Sequence, residues 1–171
     1  MSVEEHKKEA PQTVSCMVLT VSDTRTKETD KSGLLMKQLL EASDFHVMKH
    51  IIVKDDYSAI QQMIRLADSD NSIEALLING GTGITFRDTT YEAVSSMLDK
   101  ELNGFGELFR YISYEYDIGP AAMLSRAIAG VRGTTAIFST PGSSGAVKLA
   151  MEKLILPELA HVMREIYKDR K

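Results

Sequence analysis

The sequence predicts an α/β domain with a mostly parallel sheet and helices on both faces. Short apolar stretches rich in β-branched residues alternate with amphipathic stretches of ten or more residues. The short stretches are typical of buried strands, and the amphipathic ones of helices that pack on a sheet. The chain has 171 residues, which favours a single domain with one sizeable core.

Three apolar stretches in the first half of the chain predict strands at Ser15–Val21, His46–Val53 and 74–79. The stretches between them, 31–43 and 57–70, carry apolar residues at helical spacing. That spacing predicts two amphipathic helices. The third strand runs directly into the glycine-rich sequence NGGTG.

The second half of the chain predicts more helices and two further strands. Helical spacing covers 89–102, 104–116, 120–126, 146–156 and 157–171, whereas 127–132 and 135–140 are typical of strands. Pro157 stands at the first turn of the last helix, where proline is favoured. The strand at 135–140 leads into a second glycine-rich sequence, PGSSG.

Composition argues against several classes of protein. The net charge of −4 disfavours nucleic-acid binding through a basic field. Cys16 is the single cysteine, so the chain has neither an internal disulfide nor a cysteine zinc cluster, which suits a reducing compartment. The sequence shows no signal peptide and no long apolar membrane span, so we expect a cytoplasmic protein. Residues 1–13 are predicted to form a polar, poorly ordered tail, and 14–171 a single domain.

Four loops follow the predicted strands that end at positions 21, 53, 79 and 140. If these strands are parallel, the loops meet at one edge of the sheet, where α/β folds bind ligands. The loops carry acidic side chains at Asp23, Asp30, Asp55, Asp56 and Asp88. Asp30 precedes Ser32 and Gly33 at a predicted helix start, so we expect it to cap that helix.

The first glycine turn contains Gly80, Gly81 and Gly83, which permit positive φ and a close approach of a ligand to the backbone. Free N–H groups in such a turn are typical of an anion site. The turn lacks the Gly-Lys-Ser/Thr of a Walker A loop, and no Gly-x-Gly-x-x-Gly dinucleotide fingerprint follows the first strand. A tight strand-to-helix turn explains the glycines equally well.

The second glycine turn, PGSSGAVK at 141–148, leads into a predicted helix. The N-terminus of a helix offers unpaired N–H groups and the positive end of its dipole to an anion. Ser143 or Ser144 is also suited to cap the helix, and capping alone explains the serines. Two such turns at one edge of the sheet favour phosphate binding.

The acids beside these turns suit a Mg²⁺ site, because Mg²⁺ prefers one or two carboxylates together with waters and substrate phosphates. Thr89 and Glu92 form a predicted capping box, which leaves Asp88 available for another role. Asp55 and Asp56 end a strand, where a solvated turn carboxylate is the common alternative.

Histidines and large apolar side chains favour packing roles. His46 and His50 lie on one face of a strand, which indicates a packed or solvated surface, and His161 has no obvious Cys or His partner. Two helical stripes predict core, with a subunit interface as the second interpretation. The stripes are Phe105, Phe109, Ile112 and Tyr116 in one helix, and Leu159, Val162, Met163 and Ile166 in the last.

An ordered set of motifs resembles the MoaB/MogA family of molybdenum cofactor biosynthesis. The set is TVSDTR, DKSG, LINGGTGITFRDTTYEAV, GFGELFRYIS, LSRAIAGV and STPGSSGAVK, and the likeness runs from about residue 15 to about residue 159. GGTG with its trailing Arg-Asp, followed by GFGE, is a specific combination. The spacing around VKDD and the stretch 105–131 are more similar to the bacterial MoaB branch than to MogA.

The resemblance implies a three-layer αβα domain that binds molybdopterin, a pterin dithiolene with a terminal phosphate. Active members transfer AMP from Mg²⁺-ATP to that phosphate and release pyrophosphate. Two functionally important aspartates of the family map onto Asp88 and Asp55, with Asp56 as the adjacent alternative, and are expected to hold Mg²⁺. The implied molybdopterin and nucleotide pocket contains Ser22, Asp23, Gly80, Gly81, Thr82, Gly83, Pro141, Gly142, Ser143 and Ser144.

The resemblance also implies a homo-oligomer, either a trimer or a hexamer, and a partner for molybdenum insertion. Some bacterial MoaB proteins that lack this acid resemble inactive relatives, so the acid retained at Asp55 favours activity. The alternative function is a molybdopterin-binding paralogue or pathway partner that transfers no AMP. Neither a histidine nor a cysteine nucleophile is required by this chemistry.

Overall fold

Six strands form one sheet in the computed structural model of the chain, which describes residues 2–170. They are β1 (Ser15–Val21), β2 (His46–Val53), β3 (Ala75–Asn79), β4 (Lys100–Glu101), β5 (Ile128–Arg132) and β6 (Thr135–Thr140). Their order across the sheet is β2-β1-β3-β6-β5-β4. The first four strands in that order are parallel, while β5 and β4 continue the sheet in antiparallel pairs.

Helices cover both faces of the sheet. They are α2 (Lys31–Ala42), α3 (Tyr57–Ser69), α4 (Thr90–Ser95), α5 (Asn103–Ser113), α6 (Ser144–Ala150) and α7 (Leu156–Tyr167). A further short helix, α1 (Val3–Lys8), packs on α7. One buried cluster joins the sheet to α2, α5, α6 and α7, and a second joins the opposite face to α3 and α4. The predicted three-layer αβα fold with a mostly parallel sheet is therefore confirmed.

The period-two alternation of a strand explains the two cores. Cys16 and Val18 of β1 pack into the cluster with α2, whereas Met17 and Leu19 pack into the cluster with α3. All four side chains are fully buried. A strand buried on both faces reads as a continuous apolar run, and this is the pattern that marked β1 in the sequence.

The strand order places a topological switch point beside β1. From β1 the chain moves outward to β2, and it then returns to form β3 on the other side of β1. Because β1, β2, β3 and β6 are parallel, the loops at their carboxyl ends share one edge of the sheet, as predicted. This edge beside a switch point is where open α/β sheets bind ligands.

Two segments differ from their sequence predictions. The predicted helix at 89–102 ends early, because α4 stops at Ser95 and the chain then forms β4 at the edge of the sheet. Within residues 1–13, predicted as a poorly ordered tail, the structure places α1. Ser2 and Glu5 form a reciprocal capping box that begins this short helix. Among residues 2–170, no helix has the length and apolar character needed to cross a membrane.

The aromatic stripe of α5 divides at the end of that helix. Phe105 and Phe109 are buried, with their ring centroids 6.4 Å apart, as the core interpretation predicts. Tyr116 lies beyond α5 in a π-helical turn, and its side chain is 73% exposed. The change of helix type at Tyr114 rotates the later side chains out of the core face.

Candidate functional site

A cleft of about 480 Å³ opens at the carboxyl ends of β1, β3 and β6. Both glycine turns contribute to its wall, together with the loop after β1. Seven of the ten predicted pocket residues line it, together with the predicted metal-holding residue Asp88; the seven are Ser22, Gly80, Gly81, Thr82, Gly83, Pro141 and Gly142. The structure thus brings together loops that lie more than a hundred residues apart in the sequence.

The first glycine turn needs its glycines for the backbone path. Gly80 and Gly81 have φ of 103° and 67°, a region that side chains disfavour. A Cβ on Gly80 would lie 2.2 Å from the Val21 carbonyl oxygen, and one on Gly81 only 2.1 Å from Thr90 Oγ1. The resulting turn leaves three successive N–H groups, those of Gly81, Thr82 and Gly83, without an acceptor among the described residues. Such a row of free donors suits a phosphate.

The second glycine turn is built differently. Ser143 caps α6 by accepting a hydrogen bond from the N–H of Ala146 at 3.2 Å. Ser144 is the first residue of α6 and is exposed, and neither serine lines the cleft. The turn contributes Pro141 and Gly142 to the cleft wall. The capping interpretation therefore accounts for Ser143.

The structure separates the roles of Asp55 and Asp56. Asp55 is 9% exposed, and its Oδ1 accepts hydrogen bonds from the Thr89 N–H at 3.1 Å and from Thr89 Oγ1 at 2.9 Å. Its Oδ2 faces Gly81, where an added Cβ would lie 2.7 Å away. Asp56 instead caps α3 by accepting from the Ala59 N–H at 2.8 Å. Asp55 is therefore the acid that faces the first glycine turn.

Asp88 lines the cleft, although the capping argument that singled it out is wrong. Thr89 makes no capping hydrogen bond, because its hydroxyl donates to Asp55, and the Glu92 carboxylate pairs with Arg126. Oδ2 of Asp88 accepts from the Thr85 N–H at 2.9 Å and from Thr85 Oγ1 at 2.6 Å. These bonds fold the loop after GGTG back on itself and fix the carboxylate.

The electrostatics of this edge fit a divalent cation. Burial raises the pKa of Asp55 above its ordinary value, and the negative charges of Asp88 and Asp23 raise it further. The hydrogen bonds from Thr89 lower this pKa but do not cancel the rise. Oδ2 of Asp55 and Oδ1 of Asp88 have no hydrogen-bond donor among the described residues. Mg²⁺ needs only one or two such carboxylates, and a cation would relieve the repulsion between them.

Asp23 joins the loops at the mouth of the cleft instead of lining it. Its Oδ1 accepts from the Asp55 N–H at 3.1 Å, and its Oδ2 pairs with Arg87 at 2.8 Å. The Arg87 guanidinium lowers the pKa of Asp23 below its ordinary value. Asp23 thereby connects the loop after β1 with the loop after β2 and with the loop that carries Asp88.

Arg25 is a site residue that the sequence analysis missed. Its Nη2 donates to the carbonyl oxygen of Gly142 at 2.6 Å, and its Nη1 donates to Ser32 Oγ. The side chain also lies 3.7 Å from the buried Asp30 carboxylate, which caps α2 as predicted. A positive charge therefore stands in the cleft wall between the first loop and the second glycine turn.

Arg126 and Ser125 were missed as well, although both lie within the motif LSRAIAGV. Nε of Arg126 donates to the Gly83 carbonyl oxygen at 2.8 Å, and Nη2 donates to the Asp88 carbonyl oxygen at 3.2 Å. Ser125 Oγ is buried in the cleft wall without a hydrogen-bond partner among the described residues. Such an orphaned hydroxyl is suited to bond a ligand.

The fold and the cleft together define the class of protein. A three-layer α/β domain presents free backbone donors, Asp88 and an arginine at a switch-point cleft, with Asp55 facing the first glycine turn, and this arrangement suits a phosphorylated ligand. The family model described as "Probable molybdopterin binding domain" matches residues 17–161. The chain therefore belongs to this molybdopterin-binding family of molybdenum cofactor biosynthesis.

Individual members of the family are similar to this chain over nearly its full length. Molybdenum cofactor biosynthesis protein B of Halalkalibacterium halodurans is 64% identical over 170 residues, which cover 99% of this chain and all of that protein. A crystal structure of molybdenum cofactor biosynthesis protein B superposes with a TM-score of 0.90 at 57% identity, covering 93% of this chain and 99% of the other. The tungsten cofactor synthesizing protein MoaB from Pyrococcus furiosus gives 0.79 at 39% identity, covering 92% and 99%. The predicted resemblance to the MoaB branch is thus confirmed.

Proposed function

We propose that the chain binds molybdopterin in the switch-point cleft and transfers AMP from ATP to its terminal phosphate, with release of pyrophosphate. The observation that carries this proposal is the meeting of two carboxylates, Asp55 and Asp88, at a turn with three free N–H groups. Each carboxylate is fixed through one oxygen and leaves the other available.

The reaction requires the protein to position the two substrates and to stabilise the charge on their phosphates. An oxygen of the molybdopterin phosphate attacks the α-phosphorus of ATP, and a new P–O bond forms as the bond to the bridging oxygen breaks. Pyrophosphate carries away the electron pair of that bond. The N–H groups of Gly81, Thr82 and Gly83 would stabilise the phosphate oxygens, and Arg25 would add a positive charge from the cleft wall beside Gly142.

Asp55 and Asp88 are the residues that would hold Mg²⁺. When bound there, Mg²⁺ neutralises charge on the triphosphate and on the two acids. Thr89 keeps Asp55 oriented through two hydrogen bonds, and Thr85 does the same for Asp88. Ser125 Oγ, which lines the same cleft without a hydrogen-bond partner among the described residues, would donate to the ligand.

We further propose that the protein works in the cytoplasm as a homo-oligomer, a trimer or a hexamer, and delivers its product to a molybdenum-insertion partner. Tyr111, Tyr114 and Tyr116 support an assembly, because more than half of each side chain is exposed on one segment. Light scattering of the purified chain measures the assembly directly.

The function is tested by incubating the full chain with molybdopterin, ATP and Mg²⁺ and analysing the products by mass spectrometry. We expect adenylylated molybdopterin together with pyrophosphate, and we expect neither after Mg²⁺ is removed with a chelator. Molybdopterin that stays bound without gaining AMP would overturn the transferase proposal. That result would instead establish the chain as a carrier.

A further inference from the structure

A second cluster of polar side chains lies between the two ends of the chain, away from the cleft. His6 of α1 meets His161 and Glu165, which lie one turn apart on α7. One ligand atom from each of the three residues lies within 4.8 Å of the other two. His6 is thus the partner for His161 that sequence spacing did not reveal.

The distances within the cluster are close to those of a metal site. His6 Nδ1 lies 3.2 Å from Glu165 Oε1, and His161 Nε2 lies 4.0 Å from the same oxygen. Ligands about 2.0–2.1 Å from a tetrahedral Zn²⁺ lie about 3.3 Å from one another. Small side-chain rotations therefore suffice to place all three atoms on one ion.

Glu158 orients His161 for this role. Its Oε2 accepts a hydrogen bond from His161 Nδ1 at 2.9 Å, which leaves the lone pair of Nε2 directed at Glu165. The other Glu158 oxygen pairs with Lys7 of α1. A carboxylate on the far nitrogen of a histidine is the usual support of a zinc ligand.

We propose that His6, His161 and Glu165 form a Zn²⁺ site that fastens α1 to α7. Two imidazoles and one carboxylate are a ligand set that zinc accepts, with water in the fourth position. Solvent reaches the site through a neighbouring groove of about 410 Å³, which is lined by His161 and Glu165.

Two cations already contact Glu165 and would compete with the metal. Arg164 Nη1 lies 2.5 Å from its Oε1, and Lys168 Nζ lies 3.5 Å from its Oε2. Arg164 also pairs with Glu9, so it remains anchored when Glu165 turns toward the metal. Zn²⁺ binding should therefore exchange one contact of Arg164 for a metal–oxygen bond.

The test uses the full chain without an affinity tag, stripped with a chelator and titrated with Zn²⁺ in a calorimeter. We expect one Zn²⁺ per chain, a raised melting temperature in the presence of the metal, and loss of this binding in both His6→Gln and His161→Gln. Glu158→Gln should weaken binding by about 10- to 100-fold, since it removes only the orienting carboxylate. His46→Gln, which alters an exposed histidine on β2, is the matched control and should bind as the unaltered chain does.

Two results would overturn the proposal. One is the absence of stoichiometric binding to the unaltered chain. The other is a His6→Gln or His161→Gln variant that binds Zn²⁺ as tightly as the unaltered protein, because the heat of binding would then come from another surface site. Circular dichroism of each variant separates loss of a ligand from loss of the fold.

Discussion

The two glycine-rich turns look alike in the sequence but have different roles in the structure. In NGGTG, Gly80 and Gly81 take positive φ, and no side chain fits between Gly81 and its neighbours. In PGSSG, neither glycine has positive φ, and Ser143 caps a helix. The first turn exposes free backbone N–H donors beside two acids. The second turn caps the N-terminus of α6 and contributes Pro141 and Gly142 to the cleft wall. Glycine content alone therefore does not distinguish a turn with free backbone donors from a turn that caps a helix.

The acid beyond the first turn gives the largest expected effect. Asp88→Asn keeps an oxygen that can accept from Thr85 but removes the charge, so we expect AMP transfer to fall by about 100-fold or more. The urea midpoint should change little, because the loop keeps its hydrogen bonds. Single-turnover kinetics and urea unfolding measure the two quantities, and a normal rate would remove Asp88 from the mechanism.

A methyl group in the first turn should act mainly on stability. Gly81→Ala places a side chain at φ of 67° and 2.1 Å from Thr90 Oγ1, so we expect a loss of about 3 kcal/mol in the free energy of unfolding. Urea unfolding measures this loss. A change smaller than about 1 kcal/mol would show that the turn relaxes easily and that its glycines are not required by the backbone.

Removing the serine cap of the second turn should have a moderate effect. Ser143→Ala loses the hydrogen bond to the Ala146 N–H, and we expect a loss of about 1 kcal/mol in the free energy of unfolding. Molybdopterin affinity should stay within about twofold, because Ser143 does not line the cleft. Ser143→Asn restores a capping oxygen and is the matched control. A clear loss of affinity at unchanged stability would move the phosphate site to this turn.

The smallest effect is expected for the last glycine of the second turn. Gly145 lies inside α6, and a Cβ there would meet only Asp117, at 3.7 Å. Gly145→Ala should stabilise the chain by about 0.5 kcal/mol through its better helix propensity. In the same unfolding assay, we expect Gly145→Ala to raise the free energy of unfolding and Gly81→Ala to lower it, so the two turns differ in the sign of the effect. Destabilisation by Gly145→Ala would weaken the contrast.

The sequence predicted the layers of this fold because apolar periodicity follows burial directly. Strands β1, β2, β3 and β6 were placed correctly, since each combines apolar and β-branched residues and begins or ends in a loop signal. The helix end at Ser95 was missed, because a short edge strand carries two exposed residues and therefore no apolar pattern. The capping box of α1 stands in the sequence as Ser2 and Glu5 and was overlooked among the surrounding charges.

The site was predictable where its backbone depends on particular residue types. Glycines and aspartates are visible as motifs, but long side chains reach across loops that only the fold brings together. Arg25 contacts Gly142 over 117 positions, and Arg126 contacts the loop of Gly83 over 43. The choice between Asp55 and Asp56 also needed coordinates, because adjacent residues at a strand end point in different directions.

That choice supplies the most direct test of the account. Asp55→Asn and Asp56→Asn remove the same charge from neighbouring positions, and each asparagine keeps an oxygen for its hydrogen bonds. AMP transfer to molybdopterin, followed by mass spectrometry under single-turnover conditions, should fall by about 100-fold or more in Asp55→Asn. It should stay within about twofold of normal in Asp56→Asn. Equal losses in both variants, or a larger loss in Asp56→Asn, would contradict the assignment of Asp55 to the reacting edge.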